Sequence, residues 1–178
     1  MTKKISEKAI FKTKAFMIKD VEVEHEGGER AIHQVIDKRD VSIIVPITAN
    51  GSLLLIKEYA TAFDKYILDL PGGKIDPGIS PTETANKELQ EEIGYKAGKL
   101  DQIGLFTMSP GYLTQKSYIF LARDLTESKL EGDETEPLEI VEYPFEKFED
   151  LIESGELNEA RAIAGLYLAR KFLKQTRS

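Results

Sequence analysis

The sequence predicts an α+β fold, and three observations predict it. Strand-like and helix-like apolar patterns follow one another without regular alternation, a capped helix stands mid-chain directly behind a glycine pair, and the chain closes on apolar residues at helical spacing. In chain order, residues Ala9 to Ile36 alternate around "HEGGER", with Val21 and Val23 before the turn and Ala31, His33 and Val35 after it. That pattern predicts an antiparallel hairpin. After the polar seam "DKRD", the runs "VSIIVPI" and "SLLLIKEY" flank "TANG" and predict a second, more deeply buried hairpin. "YILDL" is a short strand running into the glycine loop. A helix follows, then strands near "LDQIGLFTM" and "KSYIFLARDL" and a strand edge at "LEIVEYPF". "FEKFEDLIESG" and "NEARAIAGLYLARKFLKQ" supply two closing helices. The expected division is a small N-terminal β subdomain over 1–38 and a main domain over 39–178, with no internal repeat.

Composition narrows the function classes. A hydrophobic content of 41% supports a real core, and 24 basic against 31 acidic residues leave a net charge of -7. No Lys/Arg run is long enough to track a phosphate backbone, so nucleic acid is not an expected partner. The absence of Cys excludes disulfides and thiolate metal sites. The charged start "MTKKISEKAIFK" has no apolar signal region, and the apolar runs are too short to span a bilayer. A soluble, cytoplasmic protein with no membrane partner is expected.

The stretch "LPGGKIDPGISPTETANKELQEEIGY" carries the chemistry. Ser80, Pro81 and Glu83 form a helix-start signature, and Gly94 supplies the stop. At 100° per residue Glu88, Glu91 and Glu92 fall within about 100° of arc, while Ala85, Leu89 and Ile93 make the adjoining apolar stripe. Glu83, Lys87 and Glu91 are also spaced for i,i+4 pairs worth about 0.2–0.5 kcal/mol each, which a merely solvated face would show as well. Crowded like charges favour a neutralising cation, however, and the glycines let backbone approach the same spot. Oxygen donors with room for water and phosphate suit Mg²⁺ or Mn²⁺.

These residues resemble the Nudix hydrolase family, whose box reads G-x5-E-x7-R-E-U-x-E-E-x-G-U. Gly73, Glu88, Glu91, Glu92 and Gly94 fill it at matching spacing, whereas Ile79 stands in place of the first Glu and Lys87 in place of Arg. The resemblance implies a mixed sheet between helices in an α/β/α sandwich. It also implies Mg²⁺-dependent cleavage of a nucleoside diphosphate compound to a nucleoside monophosphate and X-phosphate. Glu88, Glu92 and the Gly72 carbonyl become metal ligands and Glu91 a supporting ligand, while Lys87, a candidate catalytic residue, keeps the charge of the family's Arg but lacks the bidentate fork that would orient a neighbouring carboxylate. In the acidic loop "EGDETEPLE", resemblance to ADP-ribose-cleaving members makes Glu134 the catalytic base and Glu136 a further metal ligand.

Pro110 in "MSPGY" lies near the position where ADP-ribose-type members carry a proline, although the motif is equally a Ser-Pro-Gly turn. Tyr59 and Tyr112, with Phe16, offer base-stacking surfaces, and Lys57 a phosphate contact. Across Ser42 to Leu173 the chain most resembles bacterial ADP compounds hydrolases and ADP-ribose pyrophosphatases. Substrates such as ADP-ribose, NADH and diadenosine polyphosphates are implied. "LPGGKID" keeps a nucleoside diphosphate sugar in play, and Ile79 keeps a weakly catalytic nucleotide binder in play. The resemblance also implies a homodimer in which the N-terminal strands take part.

Overall fold

Polar residues of 107–116 fasten onto the seam that follows the N-terminal strands, and this sets the division of the chain. The computed structural model describes residues 1–132 and 138–176. They fall into two units, one of Met1–Asp40 with Thr107–Lys116, the other of Val41–Phe106 with the chain from Ser117 onward. Thr114 and Gln115 explain why a segment distant in sequence joins the first unit. The Lys38 amide donates to Thr114 Oγ1 at 3.1 Å, and Gln115 Nε2 donates to the Arg39 carbonyl at 2.7 Å.

The first unit is one antiparallel sheet of β1 (Lys3–Lys12), β2 (Met17–Glu24) and β3 (Arg30–Asp37), in that order. The expected hairpin is β2–β3, with Val21 opposite His33 and Val23 opposite Ala31. Gly27 and Gly28, at φ +106° and +87°, make its turn, a conformation that side chains with a Cβ avoid. β1 begins well before the expected Ala9. Its ten residues are all exposed, so no apolar alternation marks them. Cross-strand partners hold it instead, among them Lys3 with Glu24 at 3.0 Å and Lys19 with Glu7 at 3.5 Å.

The second unit contains β4 (Val41–Pro46), β5 (Ser52–Ala60), β6 (Lys65–Asp69), β7 (Gly72–Lys74), α1 (Pro81–Glu92), β8 (Tyr95–Thr107), β9 (Lys116–Glu127), β10 (Glu139–Pro144), α2 (Phe148–Glu153) and α3 (Ala160–Thr176). The expected second hairpin is not one sheet. β4 and β5 are joined at the turn by the Ile47–Leu53 bridge and then part into two sheets, β7-β4-β9-β8 and β10-β5-β6. The reason is that both edges of β4 are taken: β7 pairs antiparallel with residues 41–43 on one and β9 parallel on the other. No edge is left for β5.

Strand alternation then sorts the core into two layers. Leu53 and Leu55 pack with Ile119, Phe148, Leu151, Ala162 and Leu166, on the side of α2 and α3. Leu54 and Ile56 pack with Ala85, Leu89, Ile93 and Phe120, on the side of α1. The expected sandwich of helices about mixed sheets is therefore present within this unit. The expected apolar stripe of α1 is fully used, since Ala85 and Leu89 are 0% exposed.

Candidate active site

The local sequence fixes α1 at both ends. Ser80 Oγ accepts a hydrogen bond from the Glu83 amide at 3.2 Å, and the Ser80 amide donates to the Glu83 carboxylate at 2.9 Å. The Ser80 hydroxyl, which donates to Glu83 Oε2 at 2.6 Å, and then the Ser80 amide hold Glu83 below the usual carboxylate range. Gly94, at φ +77°, ends the helix. Ser42 of β4 donates to the Pro81 carbonyl at 2.7 Å and ties the start of α1 to the sheet.

That tether sets the carboxyl face of α1 against β7. The Gly72 amide donates to Glu92 Oε2 at 2.8 Å, and Glu92 is only 8% exposed. The Glu88 carboxylate lies directly over Gly73: a Cβ built there would stand 1.9 Å from Glu88 Oε1. A Cβ on Gly72 would stand 2.3 Å from the Ser42 carbonyl oxygen, because β4 and β7 pair at that point. Both glycines are thus required by close approach, Gly72 by backbone and Gly73 by a carboxylate. Glu88 and Glu92, one helical turn apart, end on successive residues of one short strand.

Glu91 leaves this pair and turns to Lys87, whose Nζ lies 2.7 Å from Glu91 Oε2. Lys87 thus meets a carboxylate as a point charge, where the family's Arg would offer a planar fork. Ile79 is exposed in a turn closed by its amide to the Asp76 carbonyl at 3.0 Å. Beyond α1, Ser128 and Leu130 are fastened to Gln90 at 2.8 and 3.2 Å. Glu134 and Glu136, the expected base and further ligand, lie outside the described residues.

The expected substrate contacts are dispersed. Lys57 shares the β5 face of Leu53 and Leu55 rather than that of Leu54 and Ile56, and pairs with Glu139 at 3.1 Å. It lines a 720 Å³ cavity with Lys65, Tyr66, Tyr143 and Asn158. Tyr59 is exposed, meets Tyr66 edge-on with centroids 5.4 Å apart, and donates to Asp64. Pro110 and Tyr112 belong to the first unit. There the turn is closed by the Tyr112 amide to the Ser109 carbonyl at 3.0 Å, and the Tyr112 carbonyl accepts from the Ile36 amide at 2.7 Å.

One ionisable group just ahead of the glycine pair has no counterpart in the sequence reading. Asp69, at the end of β6, is pushed up to about 7, first by burial and then by the neighbouring Glu159 charge. The Leu70 amide at 2.7 Å opposes that rise. A lone carboxylate directly after Ile67 and Leu68, just before Leu-Pro-Gly-Gly, was the available signal.

Among the described residues, no three Asp, Glu or His side chains gather closely enough to hold a metal by themselves. Glu88 and Glu92 nonetheless fit a hard divalent cation as part of an oxygen donor set. Both are carboxylates, and both are gathered on a glycine pair whose missing Cβ atoms let strand β4 and the Glu88 carboxylate close in.

Known proteins share this sequence pattern and this fold. The NUDIX domain family matches residues 37–166. The ADP compounds hydrolase NudE of Escherichia coli (strain K12) is 38% identical over 167 residues, covering 93% of this chain and 89% of that protein. The ADP-ribose pyrophosphatase of Bacillus subtilis (strain 168) is 33% identical over 172 residues, covering 95% and 93%. A crystal structure of an ADP compounds hydrolase superposes with a TM-score of 0.90 at 36% identity, covering 98% of this chain and 95% of that one.

Proposed function

The chain belongs to the Nudix family and is a Nudix hydrolase, and from that premise we propose that it cleaves the diphosphate bond of ADP-ribose-like compounds. ADP-ribose, NADH and diadenosine polyphosphates are the substrate class, and a nucleoside monophosphate and X-phosphate are the products. The carrying observation is the convergence of Glu88 and Glu92 on Gly72 and Gly73. The names of the two relatives support the choice of substrate.

In this reading Glu88, Glu92, the Gly72 carbonyl and Glu136 hold Mg²⁺, with Mn²⁺ as a substitute. When bound, the cation neutralises the diphosphate and polarises phosphorus toward an in-line water. Glu134 accepts the proton of that water. Glu91 supports the metal-binding carboxylates while Lys87 pairs with it as a point charge. Tyr59 contacts the substrate through stacking, while Lys57, turned to the α2 side with Glu139, is not assigned the phosphate contact. Exposed Ile10, Phe11 and Ile32 on the β1–β2–β3 sheet support a homodimer, and light scattering reads that state directly. Among the described residues no helix is long and apolar enough to cross a membrane, and a cytoplasmic enzyme is the reading adopted.

The test is incubation with Mg²⁺ and ADP-ribose, NADH, diadenosine triphosphate, ADP-glucose and GDP-mannose, quantifying nucleoside monophosphate. Release from the first three, abolished by EDTA, is expected. Release from the sugar nucleotides alone would move the assignment to a nucleoside diphosphate sugar hydrolase. Silence with both Mg²⁺ and Mn²⁺ would overturn the proposed hydrolysis.

A further inference from the structure

The last turn of α1 carries its carboxylates against two electrostatic costs. Glu88, Glu91 and Glu92 crowd one end of a single helix, and that end is the C-terminus, where the helix dipole disfavours negative charge. No basic residue lies in that turn, and Lys87 pairs with Glu91 from the turn before. Further compensation arrives from residues distant in sequence, 128–130, directly after β9.

These three residues close on the helix end together. The Leu130 amide donates to the Gln90 carbonyl at 3.2 Å, the Ser128 amide donates to the Gly94 carbonyl at 2.8 Å, and Lys129 Nζ donates to the Glu91 carbonyl. Carbonyls in the last turn of a helix have no partner within it, so these bonds supply what the helix cannot. Ser128 Oγ also donates to Gln90 Oε1 at 2.8 Å, while Gln90 Nε2 turns back to the Asn86 carbonyl at 2.8 Å. Both ends of the Gln90 amide are thereby fixed. The Lys129 stem passes over Gly94, where a Cβ would stand 3.4 Å from Lys129 Cδ, and it brings an ammonium to the negative end of the dipole. Gly94 already ends the helix, so bonds from one segment to Gln90 and Glu91 are more than termination needs. Gln90 stands between Glu88 and the Glu91–Glu92 pair, and what holds Gln90 holds the backbone that presents all three.

We infer that Gln90, Ser128 and Lys129 are positioning residues of the metal site: they fix the last turn of α1 so that the Glu92 carboxylate meets the Gly72 amide. The inference rests on the hydrolytic reading, which assigns Glu88 and Glu92 to a divalent cation. The three residues act through the backbone of α1 and not by contact with cation or substrate.

The experiment is Mn²⁺ titration of the full chain without substrate, well below the melting temperature, with free Mn²⁺ read by electron paramagnetic resonance. Gln90→Ala and Ser128→Ala should each raise the Mn²⁺ dissociation constant by about tenfold, the lower end of what the partners of metal ligands are worth. Ser128→Thr, which keeps the hydroxyl, should bind as the unsubstituted chain does. Lys129→Met should also weaken Mn²⁺. Tighter binding there would show that Lys129 acts on the cation by charge repulsion alone and would remove it from the set. In turnover, the Mg²⁺ concentration giving half-maximal rate should rise in the same variants while KM for ADP-ribose at saturating Mg²⁺ holds. A lowered melting temperature with an unchanged Mn²⁺ dissociation constant in Gln90→Ala and Ser128→Ala would reduce these contacts to helix termination and overturn the inference. Glu92→Gln separates the two readings. If it binds Mn²⁺ as tightly as the unsubstituted chain, the metal assignment itself fails; if it weakens Mn²⁺ while Gln90→Ala and Ser128→Ala do not, the positioning inference alone fails.

Discussion

β1 is exposed along all ten of its residues, whereas β4 is buried along all six. Only β4 is plain in the sequence, because its continuous apolar run demands a partner on each side. β1 is held by cross-strand pairs between solvated side chains, each worth a few tenths of a kcal/mol. β4 is held by close packing, where a single lost side chain costs several. The difference teaches where this protein is sensitive. The second unit concentrates stability and the candidate chemistry around α1, while the first presents side chains that can change with little effect on folding.

The sharpest contrast comes from Glu92→Gln. The substitution should lower kcat by roughly 100-fold or more, because even the outer partners of a metal site are commonly worth about 10–100-fold. Wild-type turnover in a steady-state assay would remove Glu92 from the metal set. Leu89→Ala, beneath the same helix, should cost about 2–5 kcal/mol in denaturant unfolding, since Leu89 is 0% exposed. A smaller loss would mean that α1 contributes less to the core than its packing implies.

The adjacent glycines separate architecture from chemistry. Gly72→Ala meets the Ser42 backbone oxygen at 2.3 Å and should lower the melting temperature, whereas Gly73→Ala meets only the movable Glu88 carboxylate. The second variant should therefore lose activity while keeping most of its stability. Equal melting losses in the two would show that Glu88 cannot shift.

Asp69 tests the burial side of the comparison through pH. Its carboxyl is raised from 3.8 to about 7 by burial and the Glu159 charge, so the folded chain retains a proton that the unfolded chain has released. The stability tied to that proton is fully present below about pH 4 and is lost as pH rises through about 7. Asp69→Asn should flatten the fall in melting temperature between pH 5 and 8, and an unchanged slope would refute the assignment. At the other extreme, Lys3→Ala removes an exposed pair with Glu24 and should move stability by no more than about 0.5 kcal/mol. A larger loss would mean that β1 is far less tolerant than its exposure indicates.

Much of α1 was legible because its signals are local. The Ser80–Glu83 capping box, the Ala85–Leu89–Ile93 stripe and the Gly94 stop are each set by residues within a turn or two of one another. The convergence of Glu88 and Glu92 on one face followed from helical geometry alone. β1 was only partly legible because its pairing is polar, and a charged strand looks like a charged coil. The parting of β4 from β5 was hidden as well, since "TANG" encodes a turn but not the sheet to which each flank belongs. Lys57 was assigned without its face, and register is what turns it to the α2 side with Glu139.

The sequence by itself determined the α+β class, the capped acidic helix, the glycine pair before it and the family to which these belong. Those properties reside in spacing along the chain. Tertiary structure alone decided that Gly72 binds Glu92 while Gly73 lies beneath Glu88, that Asp69 is buried beside Glu159, and that Ser128 and Lys129 close on the last turn of α1. Each of these joins residues from different elements. Their proximity depends on strand register and on which face each side chain takes, which short-range spacing does not encode.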